Sequence, residues 1–201
     1  MLKVYYLTQS RAVRPRWLLE ELGVPYELVR IDRGDLKKPE YLKINPNGTV
    51  PALSDGDLNL FESAAICEYL ADKFPEKRMA PPLGTPARGL YYQWMHWAMC
   101  TIEPPVVTIF INTVMRPEAE RIQAVLPAAR EGLTAALKVA EAALTGRDYI
   151  LGAEFSAADV LLGSTLSWTR MMGLLGEDHP TVAAYVGRVT ARPAFKRATA
   201  D

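Results

Sequence analysis

Thiols and imidazoles are scarce in this chain: its 201 residues include only two cysteines and two histidines. Cys67 and Cys100 lie far apart in apolar helical patterns and form no Cys-x-x-Cys, so they read as buried, inert thiols rather than a redox pair. His96 sits among aromatics and His179 precedes a proline, and so thin a set of soft ligands argues against a zinc centre or any other metal site. Net charge is missing too. Lys+Arg 23 balance Asp+Glu 23, which leaves no field to gather nucleic acid or an anionic membrane surface. A ligand must therefore be held by local groups. No apolar run is expected to reach membrane-spanning length, so no membrane partner is expected. Met1-Leu2-Lys3-Val4 runs straight into a strand pattern with no signal or transit pattern, and the default location is cytoplasmic.

What remains is the composition of an ordinary globular protein, 49% hydrophobic and 23% charged, long enough for one large core or two smaller ones. Its most informative stretch runs from Ile44 to Ser63. Asn45-Pro46-Asn47-Gly48-Thr49-Val50-Pro51-Ala52-Leu53 leads through Asp55-Gly56-Asp57 to Leu58-Asn59-Leu60-Phe61, two short apolar runs joined by a Gly-containing turn, which is a β-hairpin pattern. Pro51 heads the first run, where it donates to no ladder, and Val50 ahead of it is left with free backbone groups. A peptide-like ligand could pair with those groups as an added strand. Glu62 and Ser63 then open a helix whose unpaired N–H groups and partial positive charge suit a carboxylate, while the Glu62 carboxylate suits an amine. A small zwitterionic peptide fits that set. The same residues also read as a plain helix cap at Ser63 and a solvent turn at Asn-Pro-Asn-Gly.

In chain order, Leu2 to Leu7 is a strand, and Thr8-Gln9-Ser10 ends it with helix-capping chemistry. A helix follows through Trp17, Leu18, Leu19 and Leu22 to Gly23, and Pro15 implies that its regular part starts near Val13 or bends there. Tyr26 to Ile31 is a second strand, parallel to the first through a right-handed βαβ crossover. With a polar segment over 32–43, the hairpin, and a helix from Ser63 to about Phe74, the order is β-α-β-α-β-β-α, a thioredoxin-like arrangement. Met79 to Arg88, with Pro81, Pro82, Gly84 and Pro86, reads as a linker. Beyond it only helical periods occur: 90–115 with a bend or break at Pro104-Pro105, 118–145 with a kink suspected at Pro127, and a helix opened by the capping box Ser156-Ala157-Ala158-Asp159 with Phe155 and Val160 as hydrophobic staple. Pro180 and Pro193 head two shorter helices. The expected architecture is α/β plus all-α: a thioredoxin-like domain over 1–78, a linker over 79–88 and an all-helical domain over 89–201.

Asn-Pro-x-Gly-x-Val-Pro-x-Leu and Glu-Ser-x-Ala-Ile in the first half, with Phe-Ser-x-Ala-Asp in the second, make the chain resemble the cytosolic glutathione S-transferases over nearly its full length. Tyr5-Tyr6-Leu7 ahead of Ser10 and Trp17-Leu18-Leu19-Glu20-Glu21-Leu22-Gly23 behind it look most like the bacterial and fungal serine-type members related to the theta and delta classes. The resemblance implies glutathione as co-substrate, a small hydrophobic electrophile as its partner in the reaction, and a homodimer. It implies that Val50 pairs its backbone with the cysteinyl part of glutathione, that Pro51 is a cis-proline, that Glu62 and Ser63 hold the γ-glutamyl end, and that Ser10 faces the sulfur, with Thr8 as the competing hydroxyl. Arg11 is a further candidate beside the thiolate. Relatives place a Lys, His or Gln next to Val-Pro, where this chain has Gly48-Thr49, and Lys37, Lys38 or Lys43 could substitute for it. An electrophile pocket walled by the first long helix of the second half would use Tyr91 and Met95. The rival readings are a glutathione-dependent disulfide reductase or peroxidase, and a non-catalytic binding protein. Zeta-class isomerisation is disfavoured, because Thr8-Gln9-Ser10-Arg11 lacks a Ser-Ser-Cys run.

Overall fold

The computed structural model describes residues 1–200. They fall into two compact units, Met1–Ala80 together with the segment from Ala191 onward, and Pro81–Thr190. The first unit is a four-stranded sheet in the order β2-β1-β3-β4, built from β1 (Leu2–Tyr6), β2 (Tyr26–Arg30), β3 (Ala52–Asp55) and β4 (Leu58–Phe61). β1 and β2 are parallel, joined through helix α1 (Val13–Leu22), while β3 is antiparallel to both β1 and β4. Helices α2 (Pro39–Leu42) and α3 (Ser63–Lys73) complete it.

The starting point of α1 resolves the tension raised by Pro15. Because regular turns begin at Val13, Pro15 is the third helical residue, and its missing N–H is one that no helix could have paired. Gly23 ends the helix at φ 65°, a left-handed position where its N–H returns to the Leu19 carbonyl. Trp17, Leu18, Leu19 and Leu22 are buried along the inner face of α1, with Val4, Leu53, Ile66 and Leu70 from the sheet and α3 also in the core.

Helix α9, whose range is Pro193–Ala198, belongs to this first unit rather than to the helical half in which the sequence reading placed it. Phe195 meets Trp17 edge-on at 4.8 Å between ring centres. Arg192 grips the Glu21 carboxylate through Nε at 2.6 Å and Nη2 at 2.7 Å, and Arg197 reaches Glu20 at 2.5 Å. Glu21 also accepts the Trp17 indole N–H. Contacts separated by some 171 positions leave no periodic trace in the sequence, which is why the segment's allegiance is a structural finding.

The second unit holds α4 (Pro86–Trp97), α5 (Glu103–Phe110), α6 (Leu126–Leu144), α7 (Ala157–Met171) and α8 (Pro180–Thr190). Two expectations are corrected here. Of the bend or break expected at Pro104-Pro105, the break does not occur: a π-helical turn over Ala98–Ile102 interrupts the α-helix just before them, and the prolines enter at the first turn of α5. Residues 118–125 form two short 3₁₀ turns rather than helix, and Pro127 lies in the first turn of α6, where it causes no kink. The expectation that no apolar run reaches spanning length is also corrected. Residues Pro86–Met115 are helical over 30 residues with a mean hydropathy of 1.4 in their most apolar stretch, enough by length and composition to cross a membrane. The same helix packs its two halves against α7 and α6, burying Met95, Val106 and Ile109, while 33% of its most apolar stretch is buried in all.

The capping box at α7 forms as expected. Asp159 accepts from the Ser156 N–H at 2.9 Å and hydroxyl at 3.0 Å, and also from the Ile150 N–H and the Tyr185 hydroxyl. Burial pushes its carboxyl up to about 6 against these four donors.

Candidate functional site

Strand directions alone gather the candidate residues of the first unit. β1 ends where β3 begins, because the two are antiparallel with Tyr5 opposite Ala52. β4 ends there too, since Ala52 also faces Phe61. The loop after β1 with Ser10, the Val50-Pro51 pair before β3 and the Glu62-Ser63 pair after β4 therefore share one end of the sheet. The first turn after β2 is tied to the same end by the Ile31 N–H on the Tyr6 carbonyl.

The Val50–Pro51 peptide is cis. Pro51 is buried and Val50 half-buried. Among the described residues, the backbone N–H and C=O of Val50 make no hydrogen bond. They form a backbone anchor of the kind that strand-like ligands use. Across the sheet end, Glu62 is the N-cap of α3 at φ 72°, offers no side-chain cap, and is exposed. Ser63 is the first helical residue, and its buried hydroxyl accepts a 3.1 Å hydrogen bond from Arg14 Nη1. The Ser63 side chain is thus not a simple cap.

Arg14, only 3% exposed, is the residue that sequence reasoning missed. It lies 49 positions from Ser63, and a basic residue in the first turn of α1 gave no pattern to read. A buried guanidinium beside an uncapped helix N-terminus is a cradle for an anion, because both contribute positive potential where water is scarce. Cys67 lies behind it, fully buried. Burial pushes its thiol up to about 12 while the Arg14 charge pulls the other way, so this cysteine is inert.

Ser10 is half-buried, and its hydroxyl donates to the Leu7 carbonyl at 2.6 Å while accepting from the Ala12 N–H at 3.3 Å. Thr8 and Arg11 are exposed. Of the three lysines, Lys38 pairs with Asp35 at 2.5 Å, whereas Lys37 places its ammonium on the Asn47 carbonyl at 2.7 Å, on the turn that delivers Val50. Gly48 permits this approach. It has φ +59°, and a Cβ there would lie 2.6 Å from the Leu36 carbonyl and 2.7 Å from the Lys37 side chain.

Tyr91 and Met95 are placed differently from the expectation. Both are wholly buried, and the Arg88 guanidinium lies 4.9 Å from the centre of the Tyr91 ring. Their surface is spent on packing, so neither lines an open pocket in this structure; aromatic residues at helical spacing served as core. Of the two cysteines expected to be buried, only Cys67 is; Cys100, in the second unit, is exposed. Among the described residues no cluster of three or more His, Cys, Asp or Glu could hold a metal.

A thioredoxin-like unit with a cis-proline at the margin of its sheet, free backbone groups beside it and an arginine-backed helix N-terminus, next in the chain to an all-helical unit, defines the two-domain class of fold to which this chain belongs. Two family descriptions match this chain: glutathione S-transferase, N-terminal domain, over residues 1–72, and glutathione S-transferase, C-terminal domain, over residues 102–193. The theta class glutathione S-transferase of Xanthomonas axonopodis pv. citri, solved with glutathione bound, is 33% identical with a TM-score of 0.88, covering 100% of this chain and 97% of that one. The chain belongs to the glutathione S-transferase family. Among curated relatives, glutathione S-transferase F10 of Arabidopsis thaliana is 34% identical over 122 residues, 58% of this chain and 56% of that protein. Glutathione S-transferase GstB of Escherichia coli K12 is 40% identical over 116 residues, 55% of each chain. These alignments span about half the length of the curated relatives.

Proposed function

We propose that this chain is a glutathione transferase of the serine type, in which the thiolate of bound glutathione attacks an electrophilic carbon of a small hydrophobic substrate. The observation that carries the reading is the pairing, at one end of one sheet, of the unpartnered Val50 peptide with the Arg14–Ser63 cradle. The tripeptide would lie along the sheet margin, its cysteinyl backbone on Val50 next to Pro51. Its γ-glutamyl carboxylate would sit on the Ser63 N–H and hydroxyl, backed by Arg14, and its amine on Glu62. Lys37, poised at the Asn47 carbonyl, is the best-placed cation for the glycyl carboxylate.

Ser10 would donate to the sulfur, with the exposed Arg11 adding positive charge nearby. A cysteine-like thiol titrates near 8.5, so only a few per cent is thiolate at neutral pH. A hydrogen bond to the charged form, worth roughly 1.5–3 kcal/mol less about 1 for the Leu7 bond it replaces, moves that balance by about 0.4 to 1.5 pH units. The Ala12 N–H on Ser10 Oγ makes the hydroxyl a better donor. Catalysis then consists of positioning and thiolate stabilisation.

The rival reading, a glutathione-dependent disulfide reductase or peroxidase, uses the same glutathione site and differs in the co-substrate, a disulfide or a peroxide in place of an electrophilic carbon. We read the protein as a cytoplasmic homodimer, consistent with exposed apolar side chains at Leu58 and Phe61 in one unit and Leu90 and Tyr92 in the other. Calorimetric titration of the pure protein with glutathione, followed by conjugation of an aryl halide, tests the proposal. Heat with saturable turnover supports it. Turnover of a mixed disulfide without conjugation would transfer the site to the reductase reading, and absence of both heat and turnover would leave a non-catalytic binding protein.

A further inference from the structure

Resting on the glutathione reading of Val50, the geometry points to Tyr41 and Asn45 as positioning residues that set which way the Val50 amide faces and thereby the affinity for the peptide ligand. Both side chains donate to a single oxygen. The Tyr41 hydroxyl and the Asn45 Nδ2 each lie 2.7 Å from the Thr49 carbonyl, and Nδ2 also approaches Thr49 Oγ1 at 3.3 Å. Both are buried, at 4% and 1% exposure. Asn45 is held in turn, its Oδ1 accepting from the Asn47 N–H at 3.0 Å.

The consequence follows from peptide geometry. Thr49 C=O and Val50 N–H belong to one peptide unit, and among the described residues the cis bond is Val50–Pro51, so the Thr49–Val50 unit is trans. In a trans peptide the carbonyl and the N–H point in opposite directions. Two donors that capture the Thr49 oxygen on the protein side therefore turn the Val50 N–H outward, where it has no partner among the described residues. Rotating this unit by half a turn would present a carbonyl where the ligand brings its own carbonyl. Each donor biases the outward N–H by about fivefold, the effect of one net hydrogen bond. Together they hold the flipped form to a few per cent. Burial pushes the Tyr41 phenol up to about 12, so it remains a donor throughout the working range of pH.

The test uses the intact protein and three variants, Tyr41→Phe, Asn45→Asp and the double, with Tyr69→Phe as a control for loss of a hydroxyl elsewhere in the same unit. Asn45→Asp keeps the acceptor for Asn47 but sets an oxygen against the Thr49 carbonyl. With one donor lost, the outward form still dominates, and the glutathione Kd rises by less than about twofold in Tyr41→Phe. It rises by about twofold in Asn45→Asp, and in the double variant by about sixfold, more than the product of the singles. The rate at saturating glutathione stays unchanged. In the unliganded protein the Val50 amide resonance moves in the same order, and Tyr69→Phe moves neither. A purely structural role would lower the melting temperature and leave Kd and the Val50 resonance as in the wild type, which would overturn the proposal, as would a double variant that binds glutathione like the wild type. Should the wild type itself give no heat with glutathione, the transferase reading falls while the Val50 resonance still decides the orientation claim.

Discussion

Replacing Ser10 by alanine removes one oxygen, and the structure determines how much that oxygen can contribute. Its only proton is given to the Leu7 carbonyl at 2.6 Å, so donation to a bound thiolate first forfeits that bond. A hydrogen bond to a charged acceptor is worth roughly 1.5–3 kcal/mol and a neutral one about 1, which leaves a net of roughly 0.5–2 kcal/mol. At 1.36 kcal/mol per pH unit, the thiol of bound glutathione in Ser10→Ala titrates about 0.4 to 1.5 units higher than in the wild type. The sign fixes where activity is lost. Below the thiol's titration range, where the thiolate fraction is limiting, kcat falls by about 3- to 30-fold; well above it, where the thiol is ionised in both proteins, the difference vanishes. The assay is the pH profile of kcat for aryl halide conjugation at saturating glutathione, with the thiolate absorbance of the binary complex as an independent titration. An acid limb that stays in place in Ser10→Ala while kcat drops uniformly would refute thiolate stabilisation by this hydroxyl, and a limb that moves in Thr8→Ala instead would transfer the role.

Gly48→Ala forces a Cβ against the Leu36 carbonyl at a positive φ, so it costs at least about 1 kcal/mol and displaces Lys37; denaturant midpoints and the glutathione Kd both move, and an unchanged Kd would remove Lys37 from the site. Asp159→Asn sets an amide against donors from Ser156 and costs about 1–3 kcal/mol by urea unfolding. Because burial raises the folded carboxyl of Asp159 to about 6 from its ordinary 3.8, its protonation stabilises the fold below the lower value, a contribution lost as pH rises through the upper one. The variant lacks this component, so its stability deficit relative to the wild type is larger at pH 4 than at pH 7.5, and a pH-independent deficit would contradict the assignment. Arg192→Ala breaks a two-pronged pair with the mostly buried Glu21 and lowers stability by about 1–3 kcal/mol, read as a fall in melting temperature; full retention would show the pair to be inert.

The sequence revealed those parts of the fold that are written locally. The two-residue turn between Asp55 and Leu58, the capping box at Ser156 and the first-turn prolines at Pro180 and Pro193 each depend on neighbours a few positions away, and each forms as its residues require. The free backbone groups at Val50 and the helix start at Glu62-Ser63 were legible for the same reason. Arg14 was not, because its meaning lies in Ser63, reached only once α1 and α3 have packed. Tyr41 and Asn45 had a different problem: Asn45 sits in a motif that announced a turn and Tyr41 in a segment read only as polar, while their shared target, one carbonyl oxygen, is a matter of direction that spacing does not encode. The prolines at 104 and 105 misled, since a π-helical turn can absorb what an α-helix cannot.

The return of residues 191–198 to Trp17 and Glu21 has a temporal consequence. During synthesis the sheet and its first helix emerge before the helical unit, yet the indole of Trp17 stays without its lid until a segment some 171 positions further along has been made. The sheet unit is thus closed only after the helical unit between its two segments has been made, and a nascent chain stalled before Phe195 would present that bare aromatic face to whatever chaperone is near.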